Sequence, residues 1–180
     1  LDCHQDEVGI GSGNLMHELH GTEIAACQVC HSVAYPTCES CHVDTPDESV
    51  PFESVEAHQS LFLIGRNPLI SNDRPWRYVP VQPAPIDPDS FAAYGEDLLD
   101  NFLNRPTWVY ASPHNIQLRT PQTASCVSCH GNDAIFLTAD KVDPAERGGA
   151  NSLVIVNRVP PFPEYATEFI RQATERINRA

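Results

Sequence analysis

Methionine and tryptophan are scarce in this chain, with 1 Met and 2 Trp among 180 residues, although the apolar fraction is near the ordinary globular value. The 16 prolines argue against long uninterrupted helices. A modest core is expected, with part of the interior supplied by something other than side chains. Positive charge is scarce too, with 11 Lys+Arg against 24 Asp+Glu and a net charge of -13. That balance excludes nucleic acid and an anionic membrane surface as natural partners. It suits basic partners or a polycationic or mineral surface, and equally a solubilising coat. No apolar run is long enough to span a membrane, and no leader is visible, so any export signal is expected to have been removed or to lie upstream. Gly11-Ser12-Gly13 lacks the strand and helix that a nucleotide-binding loop needs, and no nucleophilic triad is recognisable.

What the chain does have is a pattern of cysteine and histidine. Six of its 7 cysteines form pairs with two residues between them and a histidine directly after: Cys27, Cys30 and His31; Cys38, Cys41 and His42; Cys126, Cys129 and His130. This is the attachment signature of c-type haem. Two thiols add across the haem vinyl groups, a short turn sets their separation, and the following imidazole takes the iron as proximal ligand. A four-thiolate zinc site from Cys27, Cys30, Cys38 and Cys41 is the rival reading, and a redox dithiol a second. Neither requires the histidine, and three such coincidences have a composition probability on the order of 10⁻⁴. Leu1-Asp2-Cys3-His4 reads as the end of a fourth unit, entered partway or held by a single thioether. On the first of these readings the chain is the downstream part of something longer.

The 8 histidines then balance. His4, His31, His42 and His130 are the proximal set, and His17, His20, His58 and His114 remain as distal ligands for four haems. His17 and His20 share one face of a short helix expected between an Asn14 cap and a Gly21 stop, and are free to serve different irons. Either is the expected partner for the haem of Cys27 and Cys30. Met16, the only thioether, is the poorer ligand beside two imidazoles.

With these motifs the chain resembles the multihaem c-type cytochromes. The two histidines ahead of the first complete motif resemble the start of the tetrahaem cytochromes c3 over residues 17 to 42, although the distant last motif departs from that pattern. The resemblance implies mostly coil with short α-helices packed around a haem core and little β structure. It also implies four haem c groups, low potentials from bis-histidine ligation, and a periplasmic or extracellular setting in anaerobic respiration. Filament-forming extracellular cytochromes share the look, so self-association into a haem chain is one expected arrangement. The expected role is electron transfer to redox proteins or terminal acceptors, as carrier or conduit and not as an enzyme. A multihaem reductase of a small inorganic substrate, with one iron open, is the alternative.

One domain over 1–180 is expected, with a dense haem segment (1–42), a haem-poor segment (43–113) and a last site with a C-terminal helix (114–180). The short link between Cys30 and Cys41 leaves room for little beyond a turn at Tyr35-Pro36. Around His58 a helix is expected from Ser54 to Gly65. The prolines from Pro75 to Pro88 predict extended backbone, and Asp89 is expected to cap a helix carrying Phe91, Leu98, Leu99 and Phe102. Ser152 to Val159 reads as a strand. A last helix opens at Pro163 with Ala166, Phe169, Ile170, Ala173 and Ile177 on its apolar face and Arg171, Arg176 and Arg179 toward its end. Arg66, Arg74 and Arg77 are candidate partners for haem propionates. Intact-mass measurement of the matured protein is expected to give four covalently bound haems, and fewer than three would sink this reading.

Overall fold

The computed structural model describes residues 7–34, 36–37, 41–44, 52–55, 58–59, 62–84 and 94–179, with strand pairing alone described for 36–37, 41–44, 52–55 and 58–59. Three α-helices are present among them: α1 (Leu15–His20), α2 (Cys27–His31) and α3 (Ala166–Ile177). The strands are β1 (Pro36–Thr37), β2 (Cys41–Asp44), β3 (Phe52–Val55), β4 (His58–Gln59), β5 (Leu63–Arg66), β6 (Tyr78–Pro83) and β7 (Trp108–Tyr110). Short 3₁₀ turns punctuate the rest.

The core rests on an antiparallel sheet in the order β5-β6-β7. Val79 and Val81 of β6 are fully buried, packed with Ile64, Phe136, Leu137, Val142 and Val154 to Val156. Each fully buried aliphatic side chain contributes about 1.5–3 kcal/mol. Pro80 sits in the middle strand, where proline is rarely tolerated. Its carbonyl accepts from the Ala111 N–H at 2.9 Å, just past the end of β7, so the donor it lacks faces a position that closes no further rung. The exposed edge of β5 is covered by extended chain: Leu137 N–H donates to Ile64 O, Arg66 N–H to Val154 O and Val156 N–H to Leu137 O. Gly65 permits this close packing, because a Cβ there would stand 2.8 Å from both Val81 methyls and 3.1 Å from Val154 O.

Helices are few and short among the described residues, and the buried apolar residues gather on a small antiparallel sheet. Several local expectations are corrected. The described residues around His58 are not helical: β3, β4 and β5 fall on the span expected as a Ser54–Gly65 helix. Leu63 and Ile64 gain more by pairing with Val81 and Pro80 in the sheet than a short helix ending in glycine offers. Residues 95–101 are not helical and a 3₁₀ turn, Phe102–Asn104, follows where a helix through Leu98 and Leu99 was expected. Positive φ at Gly95, Asp97 and Asn101 breaks any helix there, and Pro85, Pro88, Asp89 and Phe91 lie outside the described residues. Ser152 to Val159 is not a strand, since a 3₁₀ turn at Gly149–Leu153 precedes the buried Val154 to Val156. Between Cys30 and Cys41 the chain holds more than a turn. β1 pairs with β4, with Thr37 opposite His58, and β2 pairs with β3, with His42 opposite Ser54.

The prolines do bring extended backbone, as β6. The last helix is present from Ala166, although Phe169 is exposed and Ala173 is its buried residue. Its arginines are all paired: Arg171 with Glu168 and Glu175, Arg179 with Glu175, and Arg176 with Glu18 of α1. Arg74 lies over the Tyr110 ring and Arg77 over the Tyr78 ring, each at 5.4 Å. No described helix is long and apolar enough to cross a membrane.

Asn151, 1 % exposed, is the buried polar hinge of this core. Its Oδ1 accepts from Thr107 N–H at 3.0 Å and Trp108 N–H at 3.2 Å, and its Nδ2 donates to Thr107 Oγ1 and Glu146 O, both at 2.8 Å. Asn151→Ala orphans two backbone donors, so a loss of about 3 kcal/mol is expected in a denaturant titration. A loss below a few tenths would mean that this network adds nothing.

Candidate functional site

Two of the three complete Cys-x-x-Cys-His motifs lie in full among the described residues, and each winds a single turn. Cys27–His31 is α2, with Val29 buried beneath it. Cys126–Ser128 is a 3₁₀ turn continued by His130 N–H donating to Cys126 O at 2.9 Å. Such a turn brings the two sulfurs and the following imidazole to neighbouring positions. The four cysteines Cys27, Cys30, Cys126 and Cys129 are free thiols. Burial pushes the Cys30 thiol up to about 11, with nearby Cys129 and Cys27 adding to the effect, and burial also raises Cys129.

The sheet and the coil after it position these turns. Glu23 to Ala26 run beside β6, with Tyr78 N–H donating to Ile24 O and Ala26 N–H to Tyr78 O, which sets α2 at the end of that strand. A staple then joins the two motifs. Thr120 Oγ1 donates to Cys30 O, Gln122 Nε2 donates to Ser32 O at 3.1 Å, and the Cys129 thiol donates to Gln122 O at 3.9 Å. A cleft of about 390 Å³ lies beside it, lined by Val33, Ala34, Gln122, Ser128, Asn132 and Ile135 among others.

Helix α1 faces both turns. Asn14 caps it, accepting from the Met16 and His17 N–H groups, and Gly21 ends it at φ 63°, both as its sequence implied. The His17 ring stands 6.2 Å from the His31 ring, centroid to centroid, with planes crossed at 68°. The His20 ring stands 6.2 Å from the His130 ring, with planes at 32°. Two imidazoles bound through nitrogen to opposite sides of one metal, at about 2 Å each, hold their centroids roughly 6 Å apart. Each ring pair is spaced as two imidazoles sharing one metal would be, a spacing that ordinary ring contacts such as Tyr78–Phe136 at 6.0 Å also show.

All four imidazoles are held by a backbone carbonyl at Nδ1: His17 by Glu7 O at 3.0 Å, His20 by Met16 O at 2.8 Å, His31 by Gln117 O at 3.0 Å and His130 by Pro161 O at 2.8 Å. A carbonyl oxygen only accepts, so Nδ1 carries a proton, and a neutral ring so held has its lone pair on Nε2. That is the tautomer a metal ligand needs, fixed by the outer hydrogen bond typical of ligating histidine. The holding segments are themselves tied in, since Gln117 N–H donates to His31 O and Gly131 N–H to Pro160 O. Phe162 meets His130 edge-on at 6.5 Å.

Glu18, buried on the far side of α1, anchors the helix. Its Oε1 accepts from Gly11 N–H at 2.7 Å and Gly13 N–H at 3.3 Å, and its Oε2 from Arg176 Nε at 3.3 Å. Burial alone would raise this carboxyl; the two amides and the Arg176 guanidinium outweigh it and hold it below the usual carboxylate range.

The remaining expected residues are not brought into these pairs. His114 is exposed in irregular chain, where Ile116 N–H donates to its carbonyl. Cys41, His42 and His58 lie on β2 and β4, where backbone pairing alone is described, and Cys3, His4 and Cys38 lie outside the described residues. No three His, Cys, Asp or Glu side chains converge as a metal cluster among the described residues, so the histidines meet only in pairs. The staple residues Thr120 and Gln122 and the anchoring pair Glu18 and Arg176 carried no motif. The four carbonyls leave no trace in side-chain identity.

The chain matches no family model, no curated protein and no solved structure. Glu18→Ala is expected to release α1 from both the 9–13 loop and α3. Hydrogen exchange should then quicken at Gly11, Gly13 and the α1 amides; unchanged exchange would show that Glu18 anchors nothing.

Proposed function

We propose that this chain is a multihaem c-type cytochrome that carries electrons. One observation carries the reading: two attachment-motif histidines each face a second imidazole at 6.2 Å, and all four rings present Nε2 through carbonyl-bound Nδ1. Cys27 and Cys30 hold one haem through thioethers, with His31 proximal and His17 distal. Cys126 and Cys129 hold another, with His130 proximal and His20 distal. By the same motif logic Cys38, Cys41 and His42 hold a third, Cys3 and His4 a fourth, and His58 and His114 are left as their distal ligands. Bound haem supplies one-electron chemistry at iron, at low potential when both axial ligands are imidazoles.

The chain's own residues do the rest. His17 and His20 are one helical turn apart on α1, so the two sites they serve are neighbours, as rapid electron transfer requires. The thiols of Cys30 and Cys129 are also near enough to influence each other. At the His17–His31 and His20–His130 sites a second imidazole would occupy the position a substrate needs, which favours a carrier or conduit at those two sites. The acidic surface suits a basic redox partner or a charged terminal acceptor. Haem c chemistry places the protein in the periplasm or outside the cell, as a shuttle or as one unit of a longer haem chain.

The visible and low-temperature EPR spectra of the oxidised protein should show low-spin haem alone. His17→Ala should keep every covalent haem by mass while turning one of them high-spin. A full-occupancy high-spin signal in the unmodified protein would replace this reading with the reductase.

A further inference from the structure

The two ring pairs share a spacing and differ in angle, 68° for His17 with His31 and 32° for His20 with His130. We infer that the fold builds two electronically different haem sites, a crossed-imidazole site at His17–His31 and a near-parallel one at His20–His130. The inference rests on the haem reading above. Its physical basis is the dπ pair of low-spin ferric iron, which holds one vacancy. Each axial imidazole donates π density into the dπ orbital lying perpendicular to its own ring plane. Parallel rings raise the same orbital, split the pair and localise the vacancy. Crossed rings raise one orbital each, leave the pair nearly degenerate and keep orbital angular momentum.

The angles belong to the fold because no ring can turn freely. Glu7 O and Gln117 O hold the crossed pair at Nδ1, and Met16 O and Pro161 O hold the other. Three of the four holding segments are tied through the backbone, Gln117 by its N–H donating to His31 O. Met16 lies within α1 and Pro161 adjoins Pro160, whose carbonyl accepts from Gly131 N–H. Phe162, set at 79° to the His130 ring, further limits rotation of that ring. His17 and His20 therefore stand as orienting ligands whose planes are chosen by different carbonyls, although one helix carries both.

EPR of the oxidised holoprotein tests this through two variants. The His17→Ala difference spectrum should show loss of a broad, highly anisotropic feature at extreme low field. The His20→Ala difference spectrum should show loss of a rhombic signal with three resolved components. Loss of the same signal type in both variants, or the reverse assignment, overturns the inference while leaving the haem reading intact. Absence of any low-spin ferric signal from the unmodified protein overturns the haem reading itself. Paramagnetic NMR of the unmodified protein needs no variant. The haem methyls showing Overhauser contacts to Phe162 should be widely spread in shift, and a narrow spread for that set overturns the assignment.

Discussion

A hydrogen bond from imidazole Nδ1–H to a main-chain carbonyl is the constraint on which this structure turns. It recurs at His17, His20, His31 and His130, and each time it settles both tautomer and ring plane. The carbonyls come from four separate places: the segment before α1, α1 itself, the coil before the Thr120 turn, and the proline run ahead of α3. Much of the irregular chain can be understood as the means of delivering those oxygens. Three of the four lie in coil, where a carbonyl is not already spent on a helix or sheet neighbour, and only Met16 O comes from within a helix.

The sheet and the ligand cluster divide the labour. β5, β6 and β7 bury an apolar core, with Asn151 tying the start of β7 to the segment after the last motif. The ligand cluster hangs from that core at two points, the Ile24 to Ala26 strap beside Tyr78 and the Thr120–Gln122 staple. Helix α1 touches the assembly from outside through Glu18 and Arg176, so its position is set by charge and amide hydrogen bonds more than by apolar burial.

The ends of α1 were legible in the sequence, since Asn14 and Gly21 mark them through local chemistry. On the proposed reading, thiol spacing and the following histidine are dictated by haem attachment. The pairing of His17 with His31 and of His20 with His130 was not readable, because it depends on how distant segments pack. The expected helix around His58 failed for a related reason: Leu63 and Ile64 are apolar in a short run that suits either state, and the sheet decides. The helix expected through Leu98 and Leu99 was undone by positive φ at Asp97 and Asn101, residues that tolerate the left-handed region and so hide the break. Phe169 sits on the periodic apolar face of α3 yet is exposed, since periodicity marks a stripe without saying what covers it.

Helix α1 spans six residues, too few to persist alone in water. Its two histidines face partners on opposite sides of a long stretch of chain, His31 close behind and His130 far downstream. During synthesis the first partner emerges almost at once, whereas the second emerges only after the sheet and the Thr120 staple have been made. On the proposed reading, His17 therefore engages early and His20 waits, so the order of the chain becomes the order of maturation. A truncation just short of Cys126 would then leave a half-ligated intermediate, with His20 exposed to whatever else binds imidazole.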